Sequence, residues 1–126
     1  MALISHRSKR KATGGRYQAF RKKRVFEIRN KPILTKLAER RAKTTRGVGG
    51  TTKSKLLSIK EVNVYDPKSK KHSKVEVTSV EENHANRHFV RRNILTKGAI
   101  VETAKGKVKI TSRPGQVAVL NGVLVK

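Results

Sequence analysis

Cysteine is absent from the chain, so disulfides and thiolate metal sites are excluded. No apolar run approaches the ~20 residues that a membrane helix requires. The opening Met1–Ile4 is too short for a signal-peptide core and runs straight into basic residues, so a soluble, intracellular protein without membrane contact is expected. Hydrophobic residues make up 35% of the chain, below the ~45–50% of ordinary globular domains. Acid is also scarce: 8 Asp and Glu stand against 32 Lys and Arg, a net charge of +24 over 126 residues.

Such a field repels itself and weakens the compact state unless a polyanion neutralises it. Nucleic acid is the natural counter-charge, because a duplex presents one phosphate charge about every 1.7 Å of axis. The charge is also unevenly spread. Residues 1–55 carry 18 basic and 2 acidic side chains, and residues 56–126 carry 14 and 6. One domain fits this length. Its apolar residues crowd into the second half, from Leu56 to Val125. The chain therefore reads as a basic extension, 1–55, ahead of a small domain, 56–126. About 70 residues bury only roughly 60% of their unfolded surface, which makes that domain marginal without its partner.

Within the extension, Arg7, Lys9, Arg10 and Lys11 precede Gly14 and Gly15, where the backbone can approach another surface closely. Arg16, Tyr17 and Phe20 lead into the run Arg21, Lys22, Lys23, Arg24. Residues 16–29 can be written as a helix ended by Pro32, but they lack the apolar stripe to pack it, and like charges at i,i+4 oppose it. An arm that is disordered when free and ordered on RNA is expected. The cluster Ile33, Leu34, Leu37, Ala38 reads as one helical turn. Residues 40–55 read as a second linker, contributing Arg40, Arg41, Lys43 and Arg46 as contacts but little to a core.

From Leu56 the apolar period changes to two. Residues 56–65, with an irregularity near Glu61, and 73–81 read as a hairpin turned at Asp66-Pro67-Lys68-Ser69. A second hairpin joins 98–102 to 107–111. Arg113-Pro114-Gly115-Gln116 fits a type II turn. A last strand covers about 117–125, and Asn121-Gly122 inside it is either a hairpin turn or, preferably, a bulge or bend. Short strands separated by turn residues point to a mainly β fold, a small antiparallel β-barrel. The inserted connection 82–97 looks placed for contact rather than packing, through Arg87, Arg91, Arg92 and Lys97, with Arg113 beside it. For Arg91 and Arg92, phosphate contact and an internal pair with Glu81 or Glu82 both stay open.

Three patterns that suggest other chemistry fail on detail. Gly47–Ser54 nearly spells a phosphate-binding loop, but Thr52 stands where glycine is needed. His84 and His88 have an i,i+4 zinc spacing but no evident third ligand. A nuclease built on those histidines with Glu81 or Glu82 has nothing specific behind it. No metal or cofactor site is expected.

Ser8-Lys9-Arg10-Lys11-Ala12-Thr13-Gly14-Gly15-Arg16, followed by the Arg21–Arg24 run, resembles the opening of the small-subunit ribosomal protein S8e family of archaea and eukaryotes. So do Glu82–Asn86, Phe89–Thr103 and Thr111–Gln116, in that order. The resemblance implies a structural, non-enzymatic protein of archaeal length. It also implies a β-barrel with a basic extension, bound to small-subunit rRNA beside neighbouring small-subunit proteins in the cytoplasm, with no small-molecule substrate. Tyr17 and Phe20 then either stack on bases or riboses or pack on protein. The rival reading is a free chromatin-like or RNA-chaperone protein without a fixed site, which high salt would strip from sedimenting subunits.

Overall fold

β-Branched residues at alternate positions, such as Val62 and Val64, Val75 and Val77, and Val108 and Ile110, build the strands at the centre of this fold. The computed structural model describes residues 7–125 and the backbone of residues 3–4; the reading of Met1–Ile4 as no signal segment falls largely outside them. Among the described residues, eleven strands and one short α-helix follow in order: β1 Leu3–Ile4, β2 Ile28–Arg29, β3 Thr35–Leu37, β4 Arg41–Arg46, β5 Thr52–Ile59, β6 Glu61–Asp66, β7 Lys71–Glu82, α1 His88–Arg91, β8 Ile94–Leu95, β9 Ile100–Thr103, β10 Gly106–Ile110 and β11 Asn121–Leu124. They divide into two compact units, Met1–Pro32 and Ile33–Lys126.

In the second unit, five strands close a barrel in the order β10-β11-β6-β7-β9, which leaves no free sheet edge. Four of its pairings are antiparallel, and β11 against β6 is parallel. Val62, Val64, Val77, Val101, Val108 and Ile110 point inward and are almost wholly buried. The same core takes in Leu56 and Ile59 of β5, Leu95 of β8, Ala99 and Leu120. A second sheet, β4-β5-β3-β8, holds the β5 and β8 residues among them.

The structure revises several expectations. Residues 33–55 belong to the second unit and not to the arm. The 33–38 cluster forms strand β3 instead of a helical turn, because Lys36 and Leu37 pair with Ser58 and Ile59. The 40–55 stretch is no linker: β4 and β5 pair through six residues, from Arg41↔Ser58 to Arg46↔Thr52. Its polar, threonine-rich composition hid the pairing. The irregularity near Glu61 is a break at Lys60, where the chain leaves one sheet for the other and the Lys60 carbonyl accepts the Val77 N–H at 2.8 Å.

The Arg113 turn also differs in kind. Gln116 and Val117 both donate to the Arg113 carbonyl at 2.9 Å, while Gly115 does not take the positive φ of a type II turn. Asn121-Gly122 is neither turn nor bulge. Gly122 sits in an unbroken ladder, opposite Ile110 on one side and Val64 on the other. The 82–97 connection packs more than expected: Ile94 and Leu95 are buried, and so is Asn83. Its amide donates to the Ile94 carbonyl at 3.1 Å and accepts from Ala85 N–H and Thr96 Oγ1, each at 3.0 Å. In the first unit, residues 16–29 hold a 3-10 turn at Val25–Glu27 and no α-helix.

Candidate nucleic-acid interface

In the first unit the cations hang on a tight turn. Gly14 takes φ 86°, a conformation open to glycine at no steric cost. Its N–H bonds to the Lys11 carbonyl at 3.0 Å, and the Lys11 N–H bonds to the Gly15 carbonyl at 2.8 Å. Arg10 and Arg16 bridge across the turn, and Arg10 Nη1 donates to the Gly14 carbonyl at 2.9 Å. Tyr17 lies beneath Arg7, whose guanidinium carbon is 3.8 Å from the ring centre, with Lys11 Nζ at 5.7 Å. This cation–π arrangement holds two positive groups over one ring. Phe20 and Phe26 are 89% and 76% exposed.

Arg21 differs from the cations around it. Its guanidinium pairs with Glu27 at 2.6 Å, and the other Glu27 oxygen accepts the Arg24 N–H at 3.1 Å. Arg21 is thus engaged in holding the 21–27 segment. Arg7, Lys9, Arg10, Lys11, Arg16, Lys22, Lys23 and Arg24 are exposed and form no ion pair among the described residues.

In the second unit, Arg40, Arg41, Lys43 and Arg46 line β4 and its entry, all exposed. Gly47–Thr51 turns the hairpin tip, where Gly47 N–H bonds to the Thr51 carbonyl at 2.6 Å. The near phosphate-loop motif is therefore a hairpin turn, followed by strand β5 and by no helix. Arg87, Arg91, Arg92 and Lys97 project from the 82–97 connection, and Arg113 from its turn, all exposed. Neither Arg91 nor Arg92 pairs with Glu81 or Glu82; Glu81 instead binds Lys107. Among the described residues no group of three His, Asp or Glu side chains is placed to hold a metal.

Sequence reasoning missed Lys53 and Lys55, which β5 sets on the hairpin beside Lys43 and Thr45. The alternation Thr52-Lys53-Ser54-Lys55 was the available signal, overlooked because the stretch lacks apolar partners.

The barrel handles its charge differently. Lys60 pairs with Glu76 at 2.6 Å, Lys74 with Glu61 at 2.5 Å, and Lys107 with Glu81. A hydrogen bond from Lys60 to Glu76, together with the carboxylate's negative charge, holds the Lys60 ammonium above the usual lysine range, and Glu81 does the same for Lys107. Asp66 lies below the usual carboxylate range, because the Ser69 hydroxyl and the Lys68 N–H donate to it. Glu76, Glu61 and Glu81 thus serve Lys60, Lys74 and Lys107, and the predicted contact cations other than Arg21 form no ion pair among the described residues.

The model of the family described as ribosomal protein S8e matches residues 4–125. The chain belongs to that family. A small ribosomal subunit protein eS8 from Methanocorpusculum labreanum is 51% identical over 124 residues, covering 98% of this chain and 99% of the relative. Another from Methanosphaera stadtmanae is 46% identical over 126 residues and full length in both. One from Methanococcus aeolicus is 44% identical, covering 99% and 98%. The S8e match runs through the arm, the hairpin and the 82–97 connection alike, so all three cation groups described above lie within the family's span. Like other ribosomal proteins of this family, the chain is a structural protein and not an enzyme.

Proposed function

We propose that this chain is a structural protein of the small ribosomal subunit in the cytoplasm, seated on rRNA and flanked by neighbouring ribosomal proteins. One observation carries the reading: in an S8e chain, the exposed cations of the arm other than Arg21, of the β4–β5 hairpin and of the 82–97 connection form no ion pair among the described residues, and the ion pairs at the barrel take up Lys60, Lys74 and Lys107. Lys and Arg of the arm neutralise phosphates and release counterions. Gly14 and Gly15 let the backbone run close to the sugar-phosphate surface. Tyr17 and the exposed Phe20 offer stacking faces for unpaired bases. Arg87, Arg91, Arg92, Lys97 and Arg113 form a second contact group.

Crosslinking inside intact subunits tests this. Adducts to small-subunit rRNA are expected from residues 7–24 and from 82–97, and the protein should co-sediment with subunits in high salt. Release by salt, with no crosslinks at defined rRNA positions, would favour a loose nucleic-acid coat and end the proposal.

A further inference from the structure

The β4–β5 hairpin carries a charge arrangement that folding alone does not favour. Lys43 and Lys55 are directly opposed, and Lys53 faces Thr45 two residues further out. Opposed residues share a face with Cβ atoms about 4.5–5.5 Å apart, where like charges weaken the pairing. Lys53 and Lys55 fall on that same face, roughly 7 Å apart along the strand. None of the three has an ion-pair partner among the described residues, and the chain has no acidic residue from Arg40 to Lys60.

Two further features narrow the counter-charge. From Ile33 to Lys60 there is no aromatic residue and no histidine, so this element has no platform on which an unpaired base can stack. At the tip, Val48 is 97% exposed, held out by Gly49 and Gly50 at φ 70° and 79°. An apolar side chain thrust forward on a cationic ribbon suits a groove floor of riboses better than bulk water. Paired RNA offers a wide, shallow minor groove lined by 2′-hydroxyls, whereas its major groove is too deep and narrow for side chains.

We propose that the β4–β5 hairpin docks along the minor groove of base-paired RNA, with Lys43, Lys53 and Lys55 on phosphates and Val48 against the riboses. The proposal rests on the rRNA-binding reading above and names the kind of RNA that one of its surfaces takes. The arm, which carries Tyr17, Phe20 and Phe26, keeps the stacking role.

The full-length chain is titrated onto an RNA duplex and onto a single strand of equal length. Alongside it run Lys53→Gln/Lys55→Gln, Val48→Ala and, as an arm control, Arg10→Gln/Lys11→Gln. The hairpin double variant should lose roughly 10- to 50-fold in duplex affinity near 0.1 M salt. The salt slope should shrink by about 2, one for each phosphate no longer neutralised, with single-strand binding largely kept. Its melting temperature should hold or rise, since the removed charges repelled each other. Val48→Ala should leave melting unchanged and weaken duplex binding about three- to tenfold. An unchanged duplex affinity and salt slope in the hairpin double variant would overturn the proposal. If the arm variant still weakens binding in that case, the rRNA reading survives without the hairpin; if it does not, both fall. Equal losses on duplex and single strand would overturn the assignment to paired RNA.

Discussion

Replacing Gly122 with alanine should damage this protein far more than an Asn-Gly pair in a basic, loop-rich chain suggests. A Cβ at this position would lie 2.4 Å from Val108 Cγ1, 3.1 Å from the Lys109 carbonyl oxygen and 3.5 Å from Val62 Cγ2. Val108 and Val62 are fully buried, so neither has solvent to move into, and the carbonyl belongs to the β10 backbone. Forcing a methyl into such a core typically costs about 1–3 kcal/mol. For a unit of this size that is a fall of roughly 5–20 °C in melting temperature. Had the pair been an exposed turn or bulge, the substitution would stay within about 0.5 kcal/mol. Thermal and urea unfolding of Gly122→Ala, Val108→Ala and the double variant decides the matter. Val108→Ala alone leaves a cavity and destabilises, yet in the double variant the two changes fill and vacate the same space. Their costs should fall short of additivity by at least about 1 kcal/mol. Additive costs, or a near-neutral Gly122→Ala, would refute the steric account of this glycine.

Val77 is 2% exposed, so Val77→Ala should cost about 1–3 kcal/mol, whereas half-buried Ile100 should be more tolerant of the same change; denaturant midpoints compare them. Deleting residues 1–30 should leave the second unit's melting temperature nearly unchanged while rRNA affinity collapses; a melting loss as large as that of Val77→Ala would make the arm part of the fold. If 6–10 phosphates are contacted, affinity for rRNA fragments should fall by about 10³–10⁵ between 50 and 200 mM salt, and a flat response in filter binding would contradict the basic arm as principal contact. The lowered pKa of Asp66 stabilises the fold above the unfolded value of 3.8, and this contribution is lost as pH falls through the native value. The raised values of Lys60 and Lys107 act oppositely, contributing fully below 10.5 and fading as pH rises through the native values. Melting curves of Asp66→Ala and the unaltered chain should therefore converge in strong acid, and those of Glu76→Gln and the unaltered chain above the native Lys60 value.

The amino-acid sequence by itself determined the charge and its uneven placement, the mainly β character beyond Leu56, the hairpin turned at Asp66-Pro67, and the family kinship carried by the motifs of residues 8–16, 82–103 and 111–116. Each is local or additive: charge sums along a chain, alternation exposes the apolar face of a strand, and proline presets its own φ. Pairing is neither local nor additive, and it decided the rest. Thr35–Leu37 became a strand because Ser58 and Ile59 were there to receive it. Thr52–Lys55 reads as linker until Thr44 and Thr45 are set opposite, and with it the placing of Lys53 and Lys55 beside Lys43 stays hidden. Asn83 looks like a surface amide until its side chain meets the Ile94 carbonyl and Thr96. Asn121-Gly122 carries the signature of a turn, but closing the barrel brings Val108 against it, and only the absence of a side chain lets β11 lie between β10 and β6. A backbone hydrogen bond has no side-chain signature, so a polar strand, a buried amide and a close-packed glycine become legible only once distant segments meet.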